Sequence, residues 1–94
     1  MNDNDIKEKV IKVFAKITRF KESEISESTS LRSSIFKKNY NCLGLDFIEE
    51  TMAVCGLEKA FSINLPDDFM DDFKNVGDVI NNVKKVIQRL KLYE

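Results

Sequence analysis

The stretch "LGLDFIEE", residues 43–50, contains the residues best placed to do chemistry, because it marks the entrance to a helix. Asp46 is a typical N-cap, and Glu49, three positions later, completes a capping box. Free amides at a helix N-terminus can hold an anion. The residue at this entrance is nevertheless Phe47, whose bulky apolar side chain has no nucleophile.

The side chains that usually carry catalysis or bind metals are scarce. Histidine is absent, which removes the commonest general base and the commonest zinc ligand. Cys42 and Cys55 have no metal-binding spacing, and we expect both to be reduced thiols, Cys42 as a small buried hydrophobe and Cys55 in the core. The aspartates after residue 66 lack the order and the glycine of a calcium loop. We therefore expect no catalytic activity and no metal.

Length and composition predict one domain spanning residues 1–94. Hydrophobic residues make up 43% of the chain and charged residues 33%, with three glycines and one proline, as in a compact helical protein. No apolar run approaches the roughly 20 residues that cross a bilayer, and the N-terminus lacks the apolar core of a secretory signal. We expect a cytoplasmic protein that does not contact membranes.

Charge is unevenly distributed along the chain. Residues 46–78 carry nine acids and two bases, a net −7, whereas residues 1–45 carry nine bases and six acids. An acidic surface disfavours nucleic acid and favours a basic protein partner, although it could also be a simple solvated face.

Apolar spacing predicts three substantial helices and one short one. The first covers about Asn4–Thr18, and the second runs from the Asp46 cap to about Phe61, with two apolar stripes that imply two neighbours. Pro66 and the aspartates after it predict a short third helix over Pro66–Phe73. Asn75 caps the last helix, whose apolar stripe is Val76, Val79, Ile80, Val83, Val86, Ile87 and Leu90.

These elements predict an all-α fold, a small antiparallel four-helix bundle with a long first loop. The loop, residues 19–42, is rich in polar residues and should be held by a few apolar anchors: Ile25, Leu31, Ile35, Phe36 and Tyr40. Within it, "SSIFKK", residues 33–38, could form a turn of helix.

The order of these signals resembles the acyl carrier protein family. The resemblance covers Ile6 to about Ile87 and rests on "LGLD", on "LEKAFSINLPDD" closing the second helix and on "NVGDVINNV" opening the fourth. Family members hold acyl chains as thioesters on a 4′-phosphopantetheine arm, which is attached to a serine directly after the motif aspartate. In this sequence that position is Phe47, so the resemblance implies no bound cofactor there.

Three explanations of Phe47 remain open: a carrier fold that has lost carrying, an arm attached elsewhere, or an engineered substitution. Other departures favour natural divergence. Met52 stands where the family usually has an acidic residue, and the loop between "TSL" and "LGLD" is longer than usual. Ser33, Ser34 and Ser62 do not follow an aspartate at a helix start, which makes relocation of the arm an unfavoured explanation.

The resemblance also implies a docking surface for a basic patch on an enzyme of fatty-acid, polyketide or related biosynthesis. The expected contact residues are Phe47, Ile48, Glu49, Glu50, Met52, Glu58, Asp67 and Asp68. Phe47 has two interpretations, an apolar patch exposed for protein contact or, as we prefer here, a side chain packed against Ile35, Phe36 or Tyr40.

Two functions fit this interpretation. The favoured one is a monomeric interaction or regulatory module that lacks the arm. The alternative is a working acyl carrier, which would require 4′-phosphopantetheine at another residue or a substituted Phe47. An enzyme is disfavoured, because the sequence contains no activated nucleophile and no phosphate-binding loop.

Overall fold

The computed structural model describes residues 2–32 and 42–91. Within these ranges the fold is all-helical and has no strand. The elements are α1 (Asp3–Ile17), a 3₁₀ turn (Glu22–Glu24), α2 (Phe47–Phe61) and α3 (Val76–Lys91). None of the helices in the described ranges has the length and apolar character needed to cross a bilayer.

Polar caps fix the N-terminal ends of the helices, and the sequence predicts the caps of α2 and α3 but not that of α1. Asn2 caps α1 by accepting a hydrogen bond from the amide of Asp5 at 2.9 Å. At α3 the side chain of Asn75 accepts from the amide of Asp78 at 2.9 Å. The three long helices are confirmed with bounds within about two residues of the predicted ones, because caps and apolar periodicity are local signals.

Helix α1 packs against both α2 and α3 and so forms the centre of the fold. The residues without measurable exposure include Val10 and Phe14 of α1, Leu57 of α2 and Val83 of α3. Leu31 from the first loop is equally buried and Ile25 is nearly so, which confirms these two anchors. The other three expected anchors, Ile35, Phe36 and Tyr40, and the "SSIFKK" turn lie outside the described residues.

The predicted short third helix is wrong. Residues 67–72 form successive turns, in which the amides of Phe69, Asp71 and Phe73 each bond the carbonyl three residues earlier. The Met70 carbonyl also accepts a hydrogen bond from the Arg32 guanidinium, and so does the carbonyl of Phe73. We call residues 66–73 the turn segment. The all-helical fold is confirmed, with three α-helices in the described ranges, whereas the predicted four-helix bundle is not confirmed.

The two apolar stripes of α2 do not both pack against neighbours. Val54 and Leu57 face the core, whereas Ile48 and Met52 are exposed. Cys55 lies on the exposed side, so its expected place in the core is wrong. Periodicity identifies an apolar stripe but does not tell whether another element covers it.

Candidate functional site

Hydrogen bonds to the first loop hold the backbone that leads into α2 in place. The amides of Leu43 and Leu45 donate to the carbonyls of Ser30 and Leu31 at 2.8 and 2.9 Å. Both leucine side chains are buried in the core. Gly44 lies between them with a φ of 62°, a conformation that is unfavourable for other residues. The entrance to α2 is therefore a fixed feature of the fold.

The predicted capping box is present at this entrance. The Asp46 carboxylate accepts a hydrogen bond from the amide of Glu49 at 2.7 Å. The Glu49 carboxylate in turn accepts from the amide of Asp46 at 3.2 Å. Both carboxylates also lie at the positive end of the helix dipole, which stabilises them.

Phe47 projects from the first position of α2 into solvent, with 81% of its surface exposed. Ile48 is 69% exposed and Met52, just over one turn further along, is 48% exposed. We call these three residues the apolar patch. This exposure fits the exposed-patch interpretation. Packing of Phe47 on Ile35, Phe36 or Tyr40 stays a prediction, because those three residues lie outside the described ranges.

Glu50 faces the other way and forms an ion pair with Arg32. The guanidinium also donates to the carbonyl of Phe73 at 2.6 Å and to that of Met70 at 2.8 Å. Arg32 thus joins three elements that are distant in sequence: the first loop, α2 and the turn segment. No local sequence pattern predicts this role, since an arginine in a polar loop has many possible partners.

The remaining predicted contact residues divide into two groups. Glu58 is partly buried, and its carboxylate accepts from the amide of Leu65 at 2.9 Å, which secures the chain after α2. Asp67 and Asp68 are exposed on the turn segment. The acidic residues predicted as one docking surface therefore include three, Glu49, Glu50 and Glu58, that already hold the fold together.

Replacing Arg32 tests whether this residue clamps the first loop, α2 and the turn segment together; we call these contacts the Arg32 clamp. We expect Arg32→Met to lower the free energy of unfolding by roughly 2 kcal/mol, because the half-buried Glu50 carboxylate and two carbonyls lose their charged donor. Urea unfolding followed by circular dichroism measures the change as a lower midpoint at constant slope. Arg19→Met, at an exposed position, is the matched control. Equal midpoints for the two variants would contradict the clamp.

Other candidate nucleophiles are remote from the entrance or poorly placed. Cys42 is half-buried, and Ser62 is exposed in a left-handed conformation that ends α2. Ser33 and Ser34 lie outside the described residues. In the described part of the chain, no three cysteines or carboxylates are grouped closely enough to hold a metal ion. The entrance to α2 presents an apolar surface rather than a reactive group.

Comparison with known proteins identifies the relatives of this chain. An acyl carrier protein of Rickettsia bellii is 30% identical over 82 residues, which cover 87% of this chain and 86% of that protein. An acyl carrier protein of Porphyromonas gingivalis is 27% identical over 82 residues, 87% of this chain and 95% of that protein.

A third relative, named "Putative acyl carrier protein, mitochondrial", comes from Schizosaccharomyces pombe. It is 28% identical over 81 residues, and the match spans 86% of this chain and 66% of that protein. No family model matches the sequence. No solved structure matches it either. The identity with the Rickettsia protein over most of both chains, together with the all-helical fold, shows that this chain belongs to the acyl carrier protein family.

Proposed function

We propose that this chain is a carrier-type domain that takes no arm at position 47 and acts as a protein-interaction or regulatory module. Its partner would be an enzyme of fatty-acid, polyketide or related acyl-transfer biosynthesis in the cytoplasm. The observation that carries the proposal is Phe47, exposed directly after an intact Asp46 cap. The relatives are named as carrier proteins rather than enzymes, which supports a non-catalytic role.

The residues at the entrance do not fit a phosphopantetheine arm. A phosphodiester needs a hydroxyl oxygen at the attachment residue, and the phenyl ring of Phe47 offers none. The adjacent Ile48 is also apolar, and the hydroxyl of Thr51 donates to the carbonyl of Phe47 at 3.0 Å. Position 47 therefore supplies no attachment point for the arm.

The apolar patch is the proposed centre of the partner contact. Exposed aromatic and methionine side chains are enriched at protein interfaces, where a few of them supply most of the binding energy. Asp67 and Asp68 would contribute a negative rim. Glu49 and Glu50 would mainly hold the entrance to α2 in shape, and Glu58 would hold the chain that follows α2. A rim of this kind speeds association and weakens binding as salt rises.

A matched pair of substitutions tests the patch. Met52 and Leu90 are both 48% exposed, on α2 and α3 respectively. We expect Met52→Asp to weaken binding to a carrier-dependent acyl-transfer enzyme of the host by about tenfold or more, as loss of an interface anchor does. Leu90→Asp, which adds the same charge elsewhere, should leave the affinity unchanged. Surface plasmon resonance at two salt concentrations gives both affinities and their salt dependence.

Three results would count against the proposal. Equal loss of affinity in both variants would mean that added charge, not the patch, weakens binding. No binding of the wild-type chain to any of the host's carrier-dependent acyl-transfer enzymes would remove the interaction role. Covalent loading of the wild-type chain would favour the alternative, a working carrier with its arm on another residue.

A further inference from the structure

We propose that the groove between α1 and α2 binds a single-chain anionic amphiphile, a molecule with an alkyl chain and a carboxylate or similar head. The groove has a volume of about 670 Å³ and lies on the seam of the two helices. It is separate from the apolar patch, and the proposal does not depend on the interaction role above. We call it the lysine groove.

Four lysines give the groove its charge. Lys9, Lys12 and Lys16 come from α1 and Lys59 comes from α2, against Glu22 as the carboxylate among the lining residues. Lys12, Lys16 and Lys59 are exposed, and none has an ion-pair partner in the described parts of the chain. Unpaired lysines around a groove complement an anionic head group.

The floor of the groove is apolar and narrow. It includes Val13, Ile17 and Ala60, together with Gly56, where the helices approach so closely that an added Cβ would lie 2.9 Å from Cγ1 of Val13. Lys9 reaches across the seam, with its Nζ 3.5 Å from the carbonyl oxygen of Ala60 and 5.7 Å from the centre of the Phe61 ring. A floor of alkyl groups favours a ligand whose body is apolar.

Size distinguishes a small ligand from a protein partner. Ten residues line the groove, far fewer than the roughly 20–30 residues that each partner contributes to a standard protein interface. Its volume falls within the range of about 300–1,000 Å³ typical of small-molecule sites. The positive lysines favour an anionic head group, and the apolar floor favours an alkyl chain. Together with the size of the groove, these features favour an anionic amphiphile as the ligand.

Decanoate below its micelle concentration is the probe, with decyltrimethylammonium as a control of the same chain length and opposite charge. We expect decanoate to shift the amide NMR signals of Val13, Gly56 and Ala60 in a saturable manner, and the cation to leave them unmoved. Anionic phospholipid vesicles are tested as a third ligand. Binding to vesicles without any response to decanoate would overturn the proposal in favour of a membrane surface.

Charge removal locates the site. The triple variant Lys12→Gln, Lys16→Gln, Lys59→Gln should weaken decanoate binding about tenfold, since each exposed ion pair contributes modestly. A control variant, Lys7→Gln, Lys74→Gln, Lys85→Gln, has the same net charge, and Lys7 lies on the opposite side of α1 from Lys16. Equal weakening in both triple variants, or decanoate shifts centred away from the groove, would overturn the proposal.

Discussion

Phe47→Ser should make this protein a substrate for a broad-specificity phosphopantetheinyl transferase. The substitution restores the serine that the family resemblance implies at this position, while the fixed backbone at Leu43 and Leu45 and the capping box remain. Because Phe47 is 81% exposed, its loss should change the free energy of unfolding very little. Intact mass after incubation with coenzyme A and the transferase should show one phosphopantetheine added to the variant.

The matched control is Ile48→Ser, which places a serine one residue later on the same exposed turn. It should gain no mass, because the hydroxyl no longer follows the capping aspartate directly. If the Phe47→Ser chain stays unmodified while a family member in the same reaction is loaded, the entrance to α2 has lost more than its attachment residue. That result would place the divergence in the surface that the transferase reads.

Val83→Asp should remove a large part of the stability of the fold. Val83 has no measurable exposure and lies in the α3 stripe with Val76, Val79 and Ile80. A carboxylate there would be buried without a partner, at a cost of roughly 3–5 kcal/mol. Small domains have only about 5–15 kcal/mol of total stability, so the urea midpoint should fall sharply or the chain should be unfolded at the outset.

Asn81→Asp provides the control for this test. Asn81 is exposed on the same helix, so the change adds an equal charge without burying it. Its free energy of unfolding should stay within about 0.5 kcal/mol of the wild type, as for most surface substitutions. A cooperative melt of Val83→Asp that matches the wild type would contradict the packing of α3 against the core.

Local signals predicted the helices well and the turn segment poorly. The caps at Asp46 and Asn75 can be recognised from three or four consecutive residues of the sequence, and the structure confirms both. The turn segment also carries local helix signals in Pro66 and its aspartates. Its carbonyls at Met70 and Phe73, however, bond Arg32, about 40 residues earlier in the chain. No local pattern reveals a partner that distant.

The candidate site was predictable in its composition but not in its arrangement. The sequence identified Phe47 and the acidic residues around it, and the first turn of α2 has the predicted cap. It could not tell that Glu50 pairs with Arg32 or that Glu58 holds the amide of Leu65, because charge composition does not assign partners. The exposure of Met52 could not be predicted either, because an apolar stripe has the same sequence pattern whether or not another element covers it.

The most direct test of the central claim is the intact mass of the wild-type protein after incubation with coenzyme A and a broad-specificity phosphopantetheinyl transferase. A relative that is loaded under the same conditions, such as the Rickettsia carrier protein, serves as the positive control. Our account predicts the mass of the unmodified chain, because Phe47 offers no oxygen for a phosphodiester. An adduct that maps to any residue, Ser62 or a serine of the first loop included, would show a working carrier with a displaced arm and would contradict the account.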